Sequence, residues 1–553
     1  MKKNFKKIKS ILVLTLVLAL VLSVFAGCGK KSKSVSYDVT KSKYGTTYPL
    51  DAKDVTLTYW RATTAAVQKS APKNYGDLPF AKELEKKTGV KIEYIHPSLA
   101  NASEKFTLMI SSGKLTDIIG WNFNQYTGGA QAAIDDGVIH ALNVEGNNIL
   151  EAWAPDYNAL MEAYPDTVAK AAKTDKGLYF AFGTVSPERE LNTTAGPIAR
   201  GDWLEDLGLG IPKTIDDWYV MLKAFKEKKG ATAPLTVSPN SFHVGFVTGA
   251  FGINGDWYHD NNKVKYAPAQ PAYKEYLATL NKWYEEGLFD KEFDTTNTIT
   301  QNMLTGKSGV TYGALGGGIG TYMTNVEAKP DNDPNKDAVF IGIPYPTLDG
   351  GKPEFGQAVS KFNATTSIST QCKDPELAAK WLNYGYTEEG HMLYNFGIEG
   401  VSYEMVDKDG DGKKEYPQYT DEVKNNPTLT MQEAFAKYSQ AGGAGGGGMY
   451  RQDPRYLEQY AVRDVQQEAW KTWCDTNALN HNVPNTGIAA EDSKEYSLLY
   501  SSIFDYASQE FIKFVKGSRP VSDFDNFVKE LKDMGLDKMT KMKQAAFDAY
   551  LAR

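Results

Sequence analysis

The sequence predicts an α/β fold built on a parallel sheet and divided between two large domains or two lobes. Residues 55–60 alternate apolar and polar side chains as a strand does, residues 80–87 fit a helix, and residues 90–95 form a second strand. Strands that alternate with helices are typical of parallel sheets. A mature chain of roughly 525 residues is too long to fold around a single hydrophobic core.

The N-terminal stretch predicts export and lipid anchoring. Five lysines precede an apolar run at residues 11–25, and a small Ala-Gly pair stands before Cys28. Basic, apolar and small segments in this order form a secretory signal. The end of the segment resembles a bacterial lipobox, with Phe25 in place of the usual leucine. We therefore expect a signal peptide at residues 1–27, lipidation of Cys28, and a flexible basic tether at residues 28–49.

Composition limits the partners of the exported chain. The net charge is −7, and it falls to about −12 once the five signal lysines are removed, which argues against a nucleic-acid partner or a polyanionic ligand. Apart from Cys28, only Cys372 and Cys474 remain, and they are either one disulfide or two thiols. Aromatic residues make up 12% of the chain and suit both a core and a groove for polar ligands.

A series of short motifs along the chain carries a family resemblance. The segment SSGKLTDI at residues 111–118 is similar to an ASGxLPDI motif, with Thr116 where proline is usual. That motif is characteristic of the family 1 extracellular solute-binding lipoproteins of Gram-positive carbohydrate ABC importers, which the chain resembles. The similarity continues through residues 133–139, 153–157, 177–182, 198–208, 212–219, 397–403, 511–517 and 523–537.

The resemblance implies two α/β lobes with the ligand held between them, as in periplasmic-binding proteins. The first lobe is expected at residues 50–180 with a returning segment at 346–400, and the second at residues 181–345 with 401–553. The implied protein is a monomer anchored by lipid on the outer face of the cell membrane. It captures an oligosaccharide and delivers it to the permease of an ABC transporter.

An acidic run predicts a structural calcium site. Carboxylates or a carbonyl stand at positions 1, 3, 5, 7 and 9 of an EF-hand-type loop, with glycine at position 6. Oxygen ligands at this spacing suit Ca²⁺. Position 12 is Gln418 rather than glutamate, so the closing ligand has to come from Glu422 or elsewhere, and an acidic hairpin turn is the alternative. The five expected ligands are Asp407, Asp409, Asp411, Lys413 and Glu415.

Glycine-rich segments and aromatic residues after strands are the candidates for ligand contact. Residues 442–448 match G-x-G-x-x-G, but residues 431–438 before them predict a helix, whereas dinucleotide binding needs a strand there. The glycines instead suit a mobile loop that approaches a ligand. Sugar recognition needs flat rings and planar polar groups at strand ends and loops. The expected ligand contacts are Trp60, Arg61, Trp121, Asn122, Arg200, Trp257, Tyr258, Tyr450 and Arg451.

The sequence does not favour an enzyme. No H-E-x-x-H or G-x-S-x-G motif occurs, and the six histidines are scattered. We expect neither catalytic residues nor a catalytic cofactor. The alternatives are a lipoprotein that binds a peptide or another solute, an extracellular glycoside hydrolase with two carboxylates, and a lipid-anchored adhesin without lobe closure. Trp218 and Trp381 lie within predicted amphipathic helices, so we assign both to the core.

Overall fold

The computed structural model describes residues 35–70, 73–239, 241, 245–295, 298–484 and 486–553. The predicted signal peptide and Cys28 lie outside these ranges. Within them, no helix combines the length and the apolar character needed to cross a membrane. Cys372 and Cys474 are both free thiols.

The strands are, in chain order, β1 (Thr56–Arg61), β2 (Lys91–Ile95), β3 (Ile118–Gly120), β4 (Asn143–Val144), β5 (Asn147–Asn148), β6 (Phe182–Val185), β7 (Ala195–Arg200), β8 (Trp257–Asp260), β9 (Lys263–Tyr266), β10 (Val310–Ala314), β11 (Phe340–Gly342), β12 (Phe362–Ile368), β13 (Tyr403–Val406), β14 (Tyr416–Tyr419) and β15 (Tyr450–Arg451).

The helices of the first 400 residues are α1 (Ala65–Ser70), α2 (Pro79–Thr88), α3 (Ala102–Ser112), α4 (Gly129–Asp135), α5 (Ile149–Trp153), α6 (Pro155–Ala163), α7 (Lys170–Ala172), α8 (Gly201–Asp206), α9 (Ile215–Lys229), α10 (Pro271–Glu285), α11 (Ile299–Leu304), α12 (Thr321–Glu327), α13 (Pro375–Asn383) and α14 (Glu388–Phe396). They are followed by α15 (Asp421–Lys424), α16 (Met431–Tyr438), α17 (Pro454–Tyr460), α18 (Asp464–Cys474), α19 (Ala490–Val515), α20 (Phe524–Asp533) and α21 (Leu536–Ala552).

The first lobe is built on a six-stranded sheet with the order β15-β6-β12-β3-β1-β2. Strand β12 is antiparallel to both of its neighbours, and the other strands run parallel to one another. Tyr59 of β1 lies opposite Ile118 of β3, and Trp60 lies opposite Ile119. All four residues of β6 and most of those of β1 and β12 are buried, as expected where helices cover both faces of a parallel sheet, whereas the edge strand β2 is largely exposed.

The second lobe is built on a three-stranded antiparallel sheet with the order β10-β7-β11. A separate hydrophobic core lies against it, with Trp218 and Leu222 of α9, Leu277 and Trp283 of α10, and Phe514 of α19. Local sequence specifies its helices well. A reciprocal capping box between Thr214 and Asp217 begins α9, and Gly230, with a φ of 72°, ends it.

Three segments of the described chain cross between the two lobes. They connect β6 to β7, β11 to β12, and β15 to α18, at residues 186–194, 343–361 and 452–463. The first two pair with each other. The N–H of Val359 donates to the carbonyl of Asn192 at 2.9 Å. The side-chain oxygen of Gln357 accepts from the N–H groups of Thr194 at 2.7 Å and Ala195 at 2.9 Å. These hydrogen bonds join the first two crossing segments, and the three segments together are called the hinge below.

Residues 35–49 are packed on the first lobe, whereas the sequence predicts a flexible tether there. The Lys380 ammonium donates to the carbonyls of Tyr44 at 2.6 Å and Gly45 at 3.0 Å. It also pairs with Glu376 at 2.8 Å, and both side chains are at most 7% exposed. The composition of the segment gives no sign of this docking, because the partners lie more than 300 residues away.

Residues 401–451 also lie with the first lobe, whereas the sequence places them in the second. Strand β15 pairs in parallel with β6, and Tyr450 lies opposite Thr184. Helix α16 reaches α1, where Lys69 pairs with Glu433 at 2.9 Å. A two-residue strand has no periodicity of its own, so only its tertiary pairing assigns it to a lobe.

Candidate functional site

The carboxyl ends of the parallel strands meet at one edge of the first lobe, and the region outside the ends of β1 and β3 at this edge is called the crevice below. Strands β1, β2, β3, β6 and β15 all end at the same edge of the sheet. The chain runs from β1 outward to β2 on one side and returns to β3 on the other, so the strand order reverses at β1. Open α/β sheets bind ligands outside the strand ends at such a switch point. Arg61 and Gly120 are the last residues of the two flanking strands.

The second lobe meets the first at this edge. The Gly128 N–H, shortly after β3, donates to Ser493 Oγ of α19 at 3.3 Å. A Cβ on Gly129 would lie 3.2 Å from the Cα of Gly487, so the two backbones approach closely. The crevice at the end of β1 and β3 is therefore on the side of the first lobe that faces the second.

Trp121 is the aromatic side chain best placed in the crevice. It directly follows β3, is half-buried, and stacks on Phe106 with ring centroids 4.3 Å apart and planes 10° apart. Trp60 is only 5% exposed and packs edge-on against Trp121, so it belongs to the core. Asn122 uses its side-chain oxygen to accept from the Asn124 N–H at 3.1 Å, which holds the turn after β3.

A loop of glycines, residues 442–448, lies across the strand ends and covers Arg61. Gly446 and Gly447 each have a φ of 91°, which strongly favours glycine. A Cβ on Gly447 would lie 2.9 Å from Thr365 of β12, and one on Gly446 would lie 3.4 Å from Thr64. The loop therefore crosses from the β15 side of the sheet to the end of β1.

Side chains of the first lobe hold the carbonyls of this glycine loop. Arg61 Nη2 donates to the Gly445 carbonyl at 2.5 Å and to the Gly447 carbonyl at 3.1 Å. Thr64 Oγ1 donates to the Ala444 carbonyl at 2.8 Å. With its carbonyls drawn toward the sheet, the loop is ordered by hydrogen bonds rather than free, although the sequence suggests a mobile loop.

Arg61 is buried among aromatic rings. Only 6% of the residue is exposed, and its guanidinium lies 4.2 Å from the ring centroid of Tyr75 and 5.5 Å from that of Tyr59. Burial raises the pKa of Tyr75 to about 12, while the nearby Arg61 acts in the opposite direction. Arg61 is therefore not exposed in the crevice, and it influences the crevice only through the glycine loop, residues 442–448, whose carbonyls it binds.

Tyr450 and Arg451 follow the loop but have structural partners. Tyr450 is fully buried and donates its hydroxyl to the Gln440 carbonyl at 2.7 Å. Arg451 forms an ion pair with Glu188, and its side chain is 41% exposed. Four strand spacings separate β15 from β1, which places Arg451 about 19 Å from Arg61 across the sheet.

The remaining candidates lie in the second lobe and are not brought together with the crevice residues. Arg200 is 2% exposed, pairs in a fork with Asp202 at 2.6 and 2.8 Å, and stacks on Trp203. Tyr258 is buried against Phe355. Trp257 is half-buried in the β8–β9 hairpin. Arg200 and Tyr258 thus have packing partners that account for their burial.

The acidic run forms the exposed turn between β13 and β14. One oxygen from each of Asp407, Asp409 and Asp411 lies within 4.8 Å of the others. Asp407 accepts from the N–H groups of Gly410 at 2.7 Å and Gly412 at 2.8 Å, and these bonds, with that of Gly412 the largest influence, lower its pKa. The turn is thus preorganised with its carboxylates converging.

Other members of the predicted acidic site have partners. Lys413 places its ammonium 2.8 Å from an Asp411 oxygen. Glu415 is exposed, and its carbonyl accepts from Arg455 at 3.4 Å. Glu422 accepts the Tyr438 hydroxyl at 3.0 Å, which engages the carboxylate considered as a closing ligand.

Sequence reasoning missed Thr64 and the sheet-side partners of the glycine loop. Thr64 follows β1 as one threonine in a Thr-Thr pair, with no feature that separates it from other threonines. Its partner Ala444 is 380 residues away. Only the glycines could be found from the sequence. Several glycines close together indicate that the backbone is approached closely there, but they do not identify the approaching group.

A cavity of about 970 Å³ lies on a different part of the first lobe. It is lined by residues 45–48 and Leu50 together with residues of α2, α5, α6, α13 and α14. Ion pairs such as Lys87–Glu389 and Lys86–Glu83 line it. Because it does not open at the strand ends, the crevice rather than this cavity matches the position at which α/β sheets bind ligands.

Two lobes joined by a hinge of three segments, with a crevice at the strand ends between them, define a two-lobed ligand-binding protein. Residues 63–392, more than half of the chain, match the family model described as bacterial extracellular solute-binding protein. The chain belongs to this family. The resemblance seen in the short motifs is confirmed.

Curated relatives cover most or all of the chain. The chain is 24% identical over 572 residues to the fructooligosaccharide ABC transporter substrate-binding protein FusA of Streptococcus pneumoniae serotype 4, covering 99% of both chains. It is 26% identical over 388 residues to the lipoprotein LipO of Bacillus subtilis, covering 65% of this chain and 69% of LipO.

Solved structures share the fold. The alginate-binding protein AlgQ2 without calcium ion superposes with a TM-score of 0.67 at 23% identity, covering 92% of this chain and 100% of that one. FusA of S. pneumoniae in complex with kestose gives a TM-score of 0.66 at 21% identity, covering 90% and 100%. The predicted two-lobed α/β fold is confirmed.

Proposed function

We propose that this protein captures an extracellular oligosaccharide between its two lobes and delivers it to the permease of an ABC transporter. Capture, closure about the hinge and release require no covalent step. The observation that carries the proposal is the crevice where the strand order reverses at β1, with Trp121 at its edge and the glycine loop across it. The FusA relative is by name a fructooligosaccharide-binding protein, which supports the same ligand class.

Trp121 and the glycine loop are suited to a sugar. The Trp121 ring is held by Phe106, so little side-chain freedom is lost when a ligand packs on it. Sugar C–H faces pack on such rings, and hydroxyls pair with planar amides such as the side chain of Asn122. Backbone at Gly446 and Gly447 approaches closely because no side chains intervene. Ligand contact by Arg451 and Trp257 is a further part of the proposal.

The predicted signal peptide and lipidation site indicate the cellular location of the protein. Lipidation of Cys28 would hold a monomer on the outer face of the membrane of a Gram-positive-type bacterium. A tether keeps the receptor within reach of its permease and raises its local concentration there. If Cys28→Ala protein stays in the membrane fraction instead of appearing in the medium, the anchor is assigned to the wrong residue.

Binding is tested by calorimetry and thermal shift against a panel of mono- and oligosaccharides and peptides. A ligand that binds only the folded state raises the melting temperature. We expect saturable binding of an oligosaccharide and no product by chromatography. Turnover would instead indicate a glycoside hydrolase, and binding of peptides alone would indicate a peptide receptor.

A matched pair of variants locates the site. Trp121→Ala is expected to weaken oligosaccharide binding at least about tenfold, or 1.4 kcal/mol. Tyr219→Ala removes a half-buried ring on α9 that contacts Lys282 at 4.0 Å, and it is expected to leave affinity unchanged. Equal affinity in wild type and Trp121→Ala would contradict the crevice as the ligand site.

We also propose that the turn at residues 407–415 holds a structural Ca²⁺. Its fit rests on the three carboxylates, whose oxygen atoms lie within 4.8 Å of one another, because Ca²⁺ is bound by carboxylate oxygens spaced along one loop in this way. Asp407, Asp409 and Asp411 would hold the ion together with the Lys413 carbonyl and Glu415. A FusA structure is described as an EF-hand mutant, which is consistent with such a site in that protein.

Calcium binding is tested on protein stripped of metal. Calorimetric titration should show one Ca²⁺ site that is lost in Asp409→Ala. Exposed Asp349, in a turn of the second lobe, provides the control substitution Asp349→Ala, which should bind Ca²⁺ as wild type does. No heat of binding in the wild type, or equal affinity in Asp409→Ala, would contradict the calcium site.

A further inference from the structure

Arg61 is a buried cation without a carboxylate partner in the part of the chain that the structure describes. Its hydrogen bonds go to carbonyls, its nearest rings belong to tyrosines, and it forms no ion pair with any described residue. The residues outside the described ranges include no aspartate or glutamate. No carboxylate of the described residues therefore forms an ion pair with Arg61, and the other residues have no acidic side chain to offer.

An unpaired charge in this position is unusual. Buried arginines in proteins are normally paired, because removing a charge from water is costly unless an opposite charge or several hydrogen bonds compensate for it. Here Arg200 provides the ordinary case, since it is also buried and its guanidinium pairs with Asp202. At Arg61, carbonyl dipoles and ring faces replace the carboxylate, and Nε has no partner at all.

The surface above Arg61 offers one unused hydrogen-bond donor. A Cβ on Gly446 would lie 3.8 Å from Arg61 Nη2, so only the thickness of the loop separates the guanidinium from the exposed Gly446. The Gly447 N–H donates to no described residue. A group resting on this peptide would meet a free donor and, directly beneath it, a positive charge in a medium of low dielectric.

We propose that the ligand carries a carboxylate, as a uronic acid does, and that this group binds on the glycine loop at Gly446–Gly447 above Arg61. This inference rests on the proposed capture of an oligosaccharide and narrows it to an acidic one. Arg61 acts as a positioning residue that also supplies the charge. The acidic net charge of the chain does not oppose this, because a single local cation at short range outweighs distant charges screened by solvent and salt.

The test compares acidic sugars with neutral ones of the same shape. Uronic-acid trimers of galacturonate, glucuronate and mannuronate are each titrated beside their carboxyl-reduced forms by calorimetry at pH 7, together with the neutral oligosaccharides of the panel. We expect at least one acidic trimer to bind at least about tenfold more tightly than its reduced form. Equal or tighter binding of reduced or neutral sugars overturns the acidic assignment and leaves oligosaccharide capture standing. If no sugar of either kind binds, both proposals fail.

Variants separate the charge of Arg61 from its support of the loop. Arg61→Gln should lose the preference for the acidic trimer, and Arg61→Lys, which keeps the charge, should retain most of it. Thr64→Val removes a loop hydrogen bond without changing charge, so it should weaken the acidic and reduced trimers alike. If Arg61→Gln also weakens both trimers equally, Arg61 only supports the loop and the carboxylate assignment is overturned. Circular dichroism of each variant confirms folding, and Arg61→Lys keeps the test valid if Arg61→Gln does not fold.

Discussion

The docking of residues 42–45 on the first lobe predicts that Lys380→Met destabilises the protein. The Lys380 ammonium is 7% exposed, and it contacts Glu376, Ser42 Oγ and the carbonyls of Tyr44 and Gly45 at 2.6 to 3.0 Å. Removing one partner of a buried ion pair costs about 3 to 5 kcal/mol because the other charge is left uncompensated.

The partners that Glu376 keeps place the expected loss at the lower end of that range. Its carboxylate still accepts from Ser42 Oγ at 2.6 Å and from the N–H groups of Lys43 at 2.8 Å and Tyr44 at 3.2 Å. We therefore expect a loss of about 3 kcal/mol in the free energy of unfolding. The double variant Lys380→Met/Glu376→Leu should lose less, since it leaves no buried charge.

Urea denaturation followed by tryptophan fluorescence measures this free energy, and amide exchange at residues 43–50 reports local release of the segment. Exposed Lys105 on α3 provides the control, because Lys105→Met should stay within about 0.5 kcal/mol of wild type. A loss below about 1 kcal/mol in Lys380→Met, with unchanged exchange at residues 43–50, would refute the reasoning.

The same pair gives a dependence on pH. Burial alone raises the pKa of Glu376, but the Lys380 ammonium and the N–H groups of the docked segment more than offset it, so the pKa lies below 4.5. A carboxyl whose pKa is lowered by folding contributes stability above its unfolded pKa and loses it as the pH falls through the folded one. The wild type should therefore lose its advantage over Lys380→Met below about pH 4.5.

Three further substitutions test packing and charge elsewhere. Gly196→Ala should lower the free energy of unfolding by about 1 to 3 kcal/mol, because the new Cβ would lie 2.4 Å from the Trp473 ring, and wild-type stability would contradict this. Burial raises the pKa of Asp453, but His391 and Arg455 lower it further, well below 3.8; Asp453→Asn should thus cost about 2 to 3 kcal/mol at pH 7, and the difference from wild type should shrink below pH 4 in urea titrations. Asp175→Ala should cost under about 1 kcal/mol by the same measurement, since its carboxylate is 46% exposed where it pairs with Arg553, and a loss above 2 kcal/mol would show a stronger contact between the lobes.

Local patterns in the sequence were sufficient for many elements of the fold. Helix α3 ends where Gly113, with a φ of 65°, follows it, as expected from a glycine after an apolar-periodic run. Trp218 and Trp381, assigned to the core from their helical spacing, are at most 2% exposed. Such features depend on residues within a few positions of one another, so periodicity and capping signals identify them.

The candidate site could be predicted only in part. Residue type and position after a strand single out both Trp60 and Trp121, yet Trp60 lies in the core and Trp121 at the crevice. The two tryptophans differ in exposure because different side chains pack over the ends of β1 and β3, and the sequence near each tryptophan does not specify that packing. The same holds for Arg200 and Tyr450, whose partners Asp202 and Gln440 occupy their polar groups.

By itself, the sequence determined the α/β class, the family and the residue types available for a sugar ligand, because these rest on local periodicity and short motifs. Only the tertiary structure decided that the glycine loop crosses the sheet to Arg61, that Lys380 binds the segment at Tyr44, and that Arg61 has no counter-ion. The first two of these join groups more than 300 residues apart, and a hydrogen bond between such groups exists only once the chain has folded. The third depends on which side chains folding places around Arg61, and no described carboxylate is among them.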